Sequence, residues 1–145
     1  MSLSEVYDVI PLSIMRKTIA ARMNEAKQTV PHFRLSADID MDNVLAFRRL
    51  LNNDNEKCKI SINDIIIKAC ANALMDVPSI NIQLIGDVIY RYNQADISII
   101  IAVDGGVVAP VLRKANEKTI YDISEDVKVL AHKSVASKLK MSEIS

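Results

Sequence analysis

Between Ser13 and Asp40 the chain changes its hydrophobic period once, from nearly four to two, with a single proline between. Met15, Ile19, Met23, Ala26 and Val30 follow one another at spacings of 4, 4, 3 and 4, which places them on one face of a helix. Arg16, Lys17, Arg22, Glu25 and Lys27 lie beside or opposite that stripe. Ser13 offers an acceptor to the first turn, and Pro31 biases Val30 towards extended backbone, so the pattern predicts a helix ending near Thr29. From Phe33 the alternation is strict. Phe33, Leu35, Ala37 and Ile39 point one way and Arg34, Ser36, Asp38 and Asp40 the other, as in a strand with one buried face.

Residues 41–53 predict a second helix, with Asp42 as N-cap and Val44, Leu45, Phe47, Leu50 and Leu51 as its buried side. A polar loop follows over 52–59. Ile60 and Ile62 make a short extended lead-in, after which Asn63 or Ser61 caps a third helix running to about Asp76. That helix is apolar nearly all round (Ile65, Ile66, Ile67, Ala69, Cys70, Ala71, Ala73, Leu74, Met75), the signature of a buried one, and Pro78 stops it. Residues 80–85 and 88–92 flank Gly86-Asp87 as a two-residue hairpin. Residues 97–103 form a continuous apolar run, the mark of a strand covered on both faces. Asp104-Gly105-Gly106 turns the chain and residues 107–112 return, with Pro110 expected on an edge or bulge. Asp122 and Glu125 have the spacing of a capping box, opening a last helix whose face carries Ile123, Val127, Leu130, Ala131, Val135 and Leu139.

Composition narrows the function. The 145 residues suit one domain, with 9–145 as its body and 1–8 as a leader or linker. Lysine plus arginine equals aspartate plus glutamate at 18 each, so charge gives no reason to expect nucleic acid or an anionic membrane as partner. No apolar run approaches the ~20 residues of a membrane-spanning helix. Cys58 and Cys70 are too few for a disulfide framework or a zinc site, and no metal is expected. With three glycines in all, phosphate-cradling glycine loops are absent from this sequence.

Several segments carry a family likeness. P-L-S-x-M-R-K-x-I-A-x-R-M with V-P-H-F and D-I-D-M-D, then K-I-S-I-N-D-I-I-I-K-A (59–69), V-P-S-I-N (77–81) and D-I-S-I-I-I-A-V-D-G-G-V-V-A-P-V-L-R (96–113), resemble the catalytic domain of dihydrolipoamide acyltransferases. These are the core components of 2-oxo acid dehydrogenase complexes, and V-P-H-F resembles the pyruvate branch. The resemblance covers nearly the whole chain from Val9 and implies an α/β, chloramphenicol-acetyltransferase-like two-layer sandwich, helices on a mixed sheet. It further implies acyl (acetyl or similar) transfer from dihydrolipoamide to coenzyme A. The lipoyl group and coenzyme A are then substrates, and a trimer building a larger core, the lipoyl domain and the other complex components are partners. The compartment is a bacterial cytoplasm or a mitochondrial matrix.

Thiol-to-thiol acyl transfer needs a base for the attacking thiol and donors for the oxyanion. In the family resembled, these are the histidine of H-x-x-x-D-G and a serine of a T-I-S-N-L-G-like segment. Neither motif occurs in these residues, and His32 and His132 stand in other contexts, read as structural or solvated. The 145 residues are therefore expected to be an excerpt truncated before the C-terminal strands and to be inactive alone, with a natural truncation as the alternative. Such a half-sheet is expected to self-associate or domain-swap.

Three site residues carry over by resemblance. Arg16, in M-R-K, matches an arginine that pairs with the aspartate of the H-x-x-x-D-G motif and so supports the catalytic histidine. Arg48, in L-A-F-R, matches one that contacts a phosphate of coenzyme A, and Arg49 sits beside it. Asp104 matches a position lining the dihydrolipoamide channel, although V-D-G-G departs from the T-P-D-G usual there and shortens the loop. Ser61, Asn63 and Asp64 match a shared S-x-N-D element, read here as helix capping. A core-forming structural module without chemistry is the competing function.

Overall fold

The computed structural model describes residues 6–53 and 59–144. Cys58, most of the predicted polar loop and the start of the leader lie outside the described residues. Two compact units divide the chain: residues up to Asp38 with Asp104–Gly106, and Ile39–Val103 with Val107 onward.

In the first unit, α1 (Ile14–Thr29) has the predicted ends. The Ser13 hydroxyl accepts from the Arg16 N–H at 3.3 Å, and Val30, extended at φ −102°, donates its N–H to the Ala26 carbonyl at 3.0 Å. The expected burial of its stripe is corrected. No residue of α1 is buried, and only Ile19 and Ala26 are half-buried. The strand expected from Phe33 is also absent. Residues 31–40 carry no strand, with Phe33 87% and Leu35 86% exposed. A strand exists only through a ladder with a neighbour, and among the described residues this segment pairs with none. At the turn in this unit Gly105 takes φ +80°, a conformation open to glycine at no steric cost. Met15 and Ile19 sit directly on Gly106, where an added Cβ would lie 2.7 Å from the Met15 sulfur.

The second unit holds α2 (Asp42–Asn53), α3 (Ile62–Asp76), β1 (Ile82–Ile85), β2 (Val88–Arg91), β3 (Ile97–Ser98), β4 (Ile101–Val103), the rest of β5 (Gly106–Val108), β6 (Val111–Leu112) and α4 (Ile120–Val135), followed by a 3₁₀ turn at Met141–Glu143. The α/β character stands. The strands form three two-stranded pieces, β1–β2, β3–β6 and β4–β5, in place of one mixed sheet, and the registers of the first two are antiparallel. Gly86, at φ +58°, opens the β1–β2 turn as its sequence predicts. Pro110 separates β5 from β6 because it has no N–H for the ladder; its carbonyl still accepts from Ile99 at 2.9 Å.

The core gathers Ile67 and Ala71 of α3, Ala95, Leu112, Ala115, and Ile123 and Leu130 of α4. Two expectations of complete burial fail around it. In α3 only Asp64, Ile67 and Ala71 are buried, while Ile66, Cys70 and Ala73 face solvent. Along 97–103 burial alternates despite the unbroken apolar run, leaving Ile100 76% exposed. Among the described residues, both segments are covered on one side.

Capping differs in detail. Ser61 and Asp64 form a reciprocal capping box on α3, settling the choice between Ser61 and Asn63. On α4 the cap is Thr119 and not Asp122, which takes the third helical position and returns a bond to the Thr119 N–H at 3.0 Å. At α2, Asp42 is already helical, and the Asp40 carboxylate accepts its N–H at 2.9 Å. Ile60, just before α3, is 0% exposed. Ile60→Ala is expected to cost about 3 kcal/mol, read as a lowered urea midpoint with an unchanged slope.

Candidate functional site

Arg16 and the Asp104–Gly106 turn, far apart in sequence, meet in the first unit. The first turn of α1 carries Arg16 so that its Nε donates to the Gly105 carbonyl at 3.4 Å. Asp104 is exposed at the start of the same turn. A long bond from an exposed guanidinium is weak. Two of the three expected site residues thus stand at one turn, with the Met15 and Ile19 side chains closing over Gly106 beside them.

Arg48 lies in the second unit, half-buried on α2. Its Nε donates to the Ile60 carbonyl at 2.9 Å. The same carbonyl accepts from Asn52 Nδ2 at 3.0 Å, and Asn52 Oδ1 takes the Ile60 N–H at 2.7 Å. One residue earlier, the Lys59 carbonyl accepts from Ser124 Oγ at 3.2 Å and Lys128 Nζ at 3.1 Å, both on α4. The Ser61 N–H goes to the Asp64 carboxylate at 2.7 Å. Residues 59–61 therefore form a strap whose backbone polar groups are met by side chains of α2, α3 and α4. Among the described residues the Arg48 Nη groups make no hydrogen bond, and the bond through Nε fixes the plane in which they are presented.

Sequence reasoning did not anticipate the cluster at Asp96. Its carboxylate accepts from Arg113 Nη1 at 2.8 Å, from the Lys114 N–H at 2.8 Å and from Gln94 Nε2 at 3.1 Å. Lys114 holds φ +53°, a left-handed conformation that the bond to Asp96 stabilises. The signal was present. Ile97 pairs with Leu112, so opposite charges immediately outside that pair fall together. Asn81 Nδ2 donates to the Tyr92 and Gln94 carbonyls, tying the β1–β2 hairpin to the same cluster. An open cleft of about 430 Å³ is lined there by Asn81, Gln83, Tyr92, Gln94, Asp96 and Arg113, among others. Burial pushes the Asp96 carboxyl up, but hydrogen bonds from Arg113, Lys114 and Gln94 and the Arg113 charge outweigh it and hold it below the ordinary 3.8.

His32 and His132 are both exposed, His132 in the last turn of α4. Cys70 is an exposed thiol on the open side of α3. Among the described residues no group of three His, Cys, Asp or Glu is placed to hold a metal ion, and no helix is long and apolar enough to cross a membrane.

Comparison with known proteins gives a consistent result. A family model described as 2-oxoacid dehydrogenases acyltransferase (catalytic domain) matches residues 4–145. The dihydrolipoyllysine-residue acetyltransferase component of the pyruvate dehydrogenase complex of Rickettsia bellii is 42% identical over 142 residues, covering 96% of this chain and 34% of that protein. The corresponding mitochondrial component of Schizosaccharomyces pombe is 36% identical over 138 residues, covering 94% of this chain and 29% of that protein. The chain thus spans about a third of the length of the curated relatives it matches. Among solved structures, a probable dihydrolipoamide acetyltransferase from Listeria monocytogenes superposes with a TM-score of 0.87 at 29% identity, over 96% of this chain and 61% of that one. Dihydrolipoamide acetyltransferase of Azotobacter vinelandii superposes with a TM-score of 0.90 at 22% identity, over 96% of this chain and 59% of that one, a likeness of fold.

The lowered Asp96 value fixes a pH dependence. A carboxylate whose value falls on folding adds stability above its unfolded value, and that stability is lost as pH drops through the folded one. Asp96→Asn is therefore expected to lower the urea midpoint at pH 7, with the gap to wild type narrowing once pH falls below about 3.8.

Proposed function

The chain belongs to the 2-oxoacid dehydrogenase acyltransferase family, and we propose that it forms the front portion of a catalytic domain that moves an acetyl group from dihydrolipoamide to coenzyme A. The observation that carries this reading is the 42% identity, over nearly the whole chain, to the acetyltransferase component of a pyruvate dehydrogenase complex. In the reaction, a base removes the proton of the coenzyme A thiol. The thiolate then attacks the thioester carbonyl of acetyl-dihydrolipoamide to give a tetrahedral oxyanion. Collapse expels the dihydrolipoamide sulfur, which takes up a proton.

These 145 residues contribute supporting groups to that chemistry and leave the base to residues outside them. Neither His32 nor His132 stands in an H-x-x-x-D-G context. Arg48 binds a phosphate of coenzyme A through its planar fork. Arg16 orients the catalytic histidine through an aspartate, and Asp104 lines the approach of the dihydrolipoamide arm. The lipoyl domain and the other components of the complex are the partners, and the compartment is a bacterial cytoplasm or mitochondrial matrix, in line with bacterial and mitochondrial relatives. The protein assembles as a trimer within a larger core.

A second reading, a core-forming module without chemistry, is favoured by the apolar residues left open along α1, 33–39 and 97–103. Turnover separates the two. The 145-residue polypeptide alone is expected to be oligomeric by light scattering at micromolar concentration and to give no acetyl transfer. A clean monomer would remove the assembly claim, and unaided turnover would remove the claim of an external base. Arg48→Ala in the intact protein is expected to raise the calorimetric Kd for coenzyme A about tenfold. An unchanged Kd would remove the phosphate assignment.

A further inference from the structure

The Arg48 guanidinium is held by a device that the proposed phosphate contact alone does not require. Arg48 and Asn52 stand four residues apart on α2, so their side chains share a face. Both reach the backbone of Ile60. Asn52 grips it at two points, its Oδ1 on the N–H at 2.7 Å and its Nδ2 on the carbonyl at 3.0 Å. Arg48 uses the second lone pair of that carbonyl, through Nε, at 2.9 Å. The far side of the strap is fixed by Ser124 on the Lys59 carbonyl at 3.2 Å, and the Ile60 side chain is wholly buried.

From this arrangement we propose that Asn52 is a positioning residue for Arg48: by fixing the Ile60 carbonyl, it sets the plane of the guanidinium and the direction in which its two Nη groups meet an anionic ligand. The proposal rests on the reading of Arg48 as a phosphate contact. An arginine with a flexible side chain must lose rotamer freedom when it binds. Here that loss is taken on folding, because Nε is already bonded to a carbonyl that cannot shift. Removing Asn52 leaves the Ile60 N–H and half of its carbonyl unmet and lets the strap move, so Arg48 keeps its charge but loses its fixed geometry. The amide is the right group for the task. A carboxylate at position 52 could accept the N–H but would repel the carbonyl, and a hydroxyl could not span both.

The test is a double-mutant cycle on the intact protein, reading coenzyme A affinity by calorimetry and folding by urea midpoint. Asn52→Ala is expected to weaken coenzyme A binding about fivefold and Arg48→Ala about tenfold, with the double variant no weaker than Arg48→Ala alone. The KM for the dihydrolipoamide substrate is expected to stay within about twofold of wild type in both, which a general loosening of the fold would not spare. If Arg48→Ala leaves coenzyme A affinity unchanged, the phosphate reading fails and the positioning role with it. If Arg48→Ala weakens binding but Asn52→Ala does not, or their effects multiply in the double variant, the phosphate reading stands and the positioning role is overturned. Ser124→Ala, which loosens the same strap from the Lys59 side, separates a fold effect. It is expected to lower the urea midpoint while changing coenzyme A affinity less than Asn52→Ala does. An equal loss of affinity would overturn the specific role of Asn52.

Discussion

Three residues without regular structure, Lys59, Ile60 and Ser61, hold the larger unit together. A strap crossing between helices cannot satisfy its own backbone, and an unmet buried N–H or carbonyl costs about as much as a lost hydrogen bond. Side chains of three helices meet its backbone: Asn52 and Arg48 of α2, Asp64 of α3, Ser124 and Lys128 of α4. Ile60, fully buried, adds the apolar anchor. The helices are thereby tied through one short piece of chain as well as through the core that α3 and α4 share. The same bonds that satisfy the strap also fix the plane of the Arg48 guanidinium.

How much of this could be read beforehand depended on the range of the interaction. Helix limits set by local chemistry were legible: Ser13 and Pro31 bound α1 as expected, and Gly86-Asp87 makes its hairpin. The cap of α4 was misplaced by three residues because Asp122 suits either role, and only the geometry shows that Thr119 supplies the hydroxyl. The strap was not legible, since Asn52 looked like loop chemistry and nothing local points it at Ile60. All three expected site residues came from family likeness, Arg48 as well as the pair Arg16 and Asp104. Their meeting at one turn needed the fold, through the bond from Arg16 to Gly105.

The expectations that failed share a cause. Stripes and runs that predict burial describe what a sequence is built to cover, and not what these residues cover by themselves. α1 keeps its periodicity without a buried residue, Phe33 and Leu35 alternate without a ladder, and the 97–103 run is apolar on both sides but shielded on one. Exposed apolar surface of that extent is the kind found at interaction sites.

Pro110 gains a different significance from that open run. Seven residues as apolar as Ile-Ser-Ile-Ile-Ile-Ala-Val, uncharged and proline-free, have the composition of segments that stack into fibrils. The returning strand answers with a buried proline at the break between β5 and β6, and Ser98, within the run itself, donates its hydroxyl to the Ala109 carbonyl at 3.0 Å. A ladder interrupted at that point cannot serve as an unbroken template for a stranger's strand. The ring that splits the hairpin thus leaves two short ladders, β3–β6 and β4–β5, where the open isoleucines would otherwise front one long one.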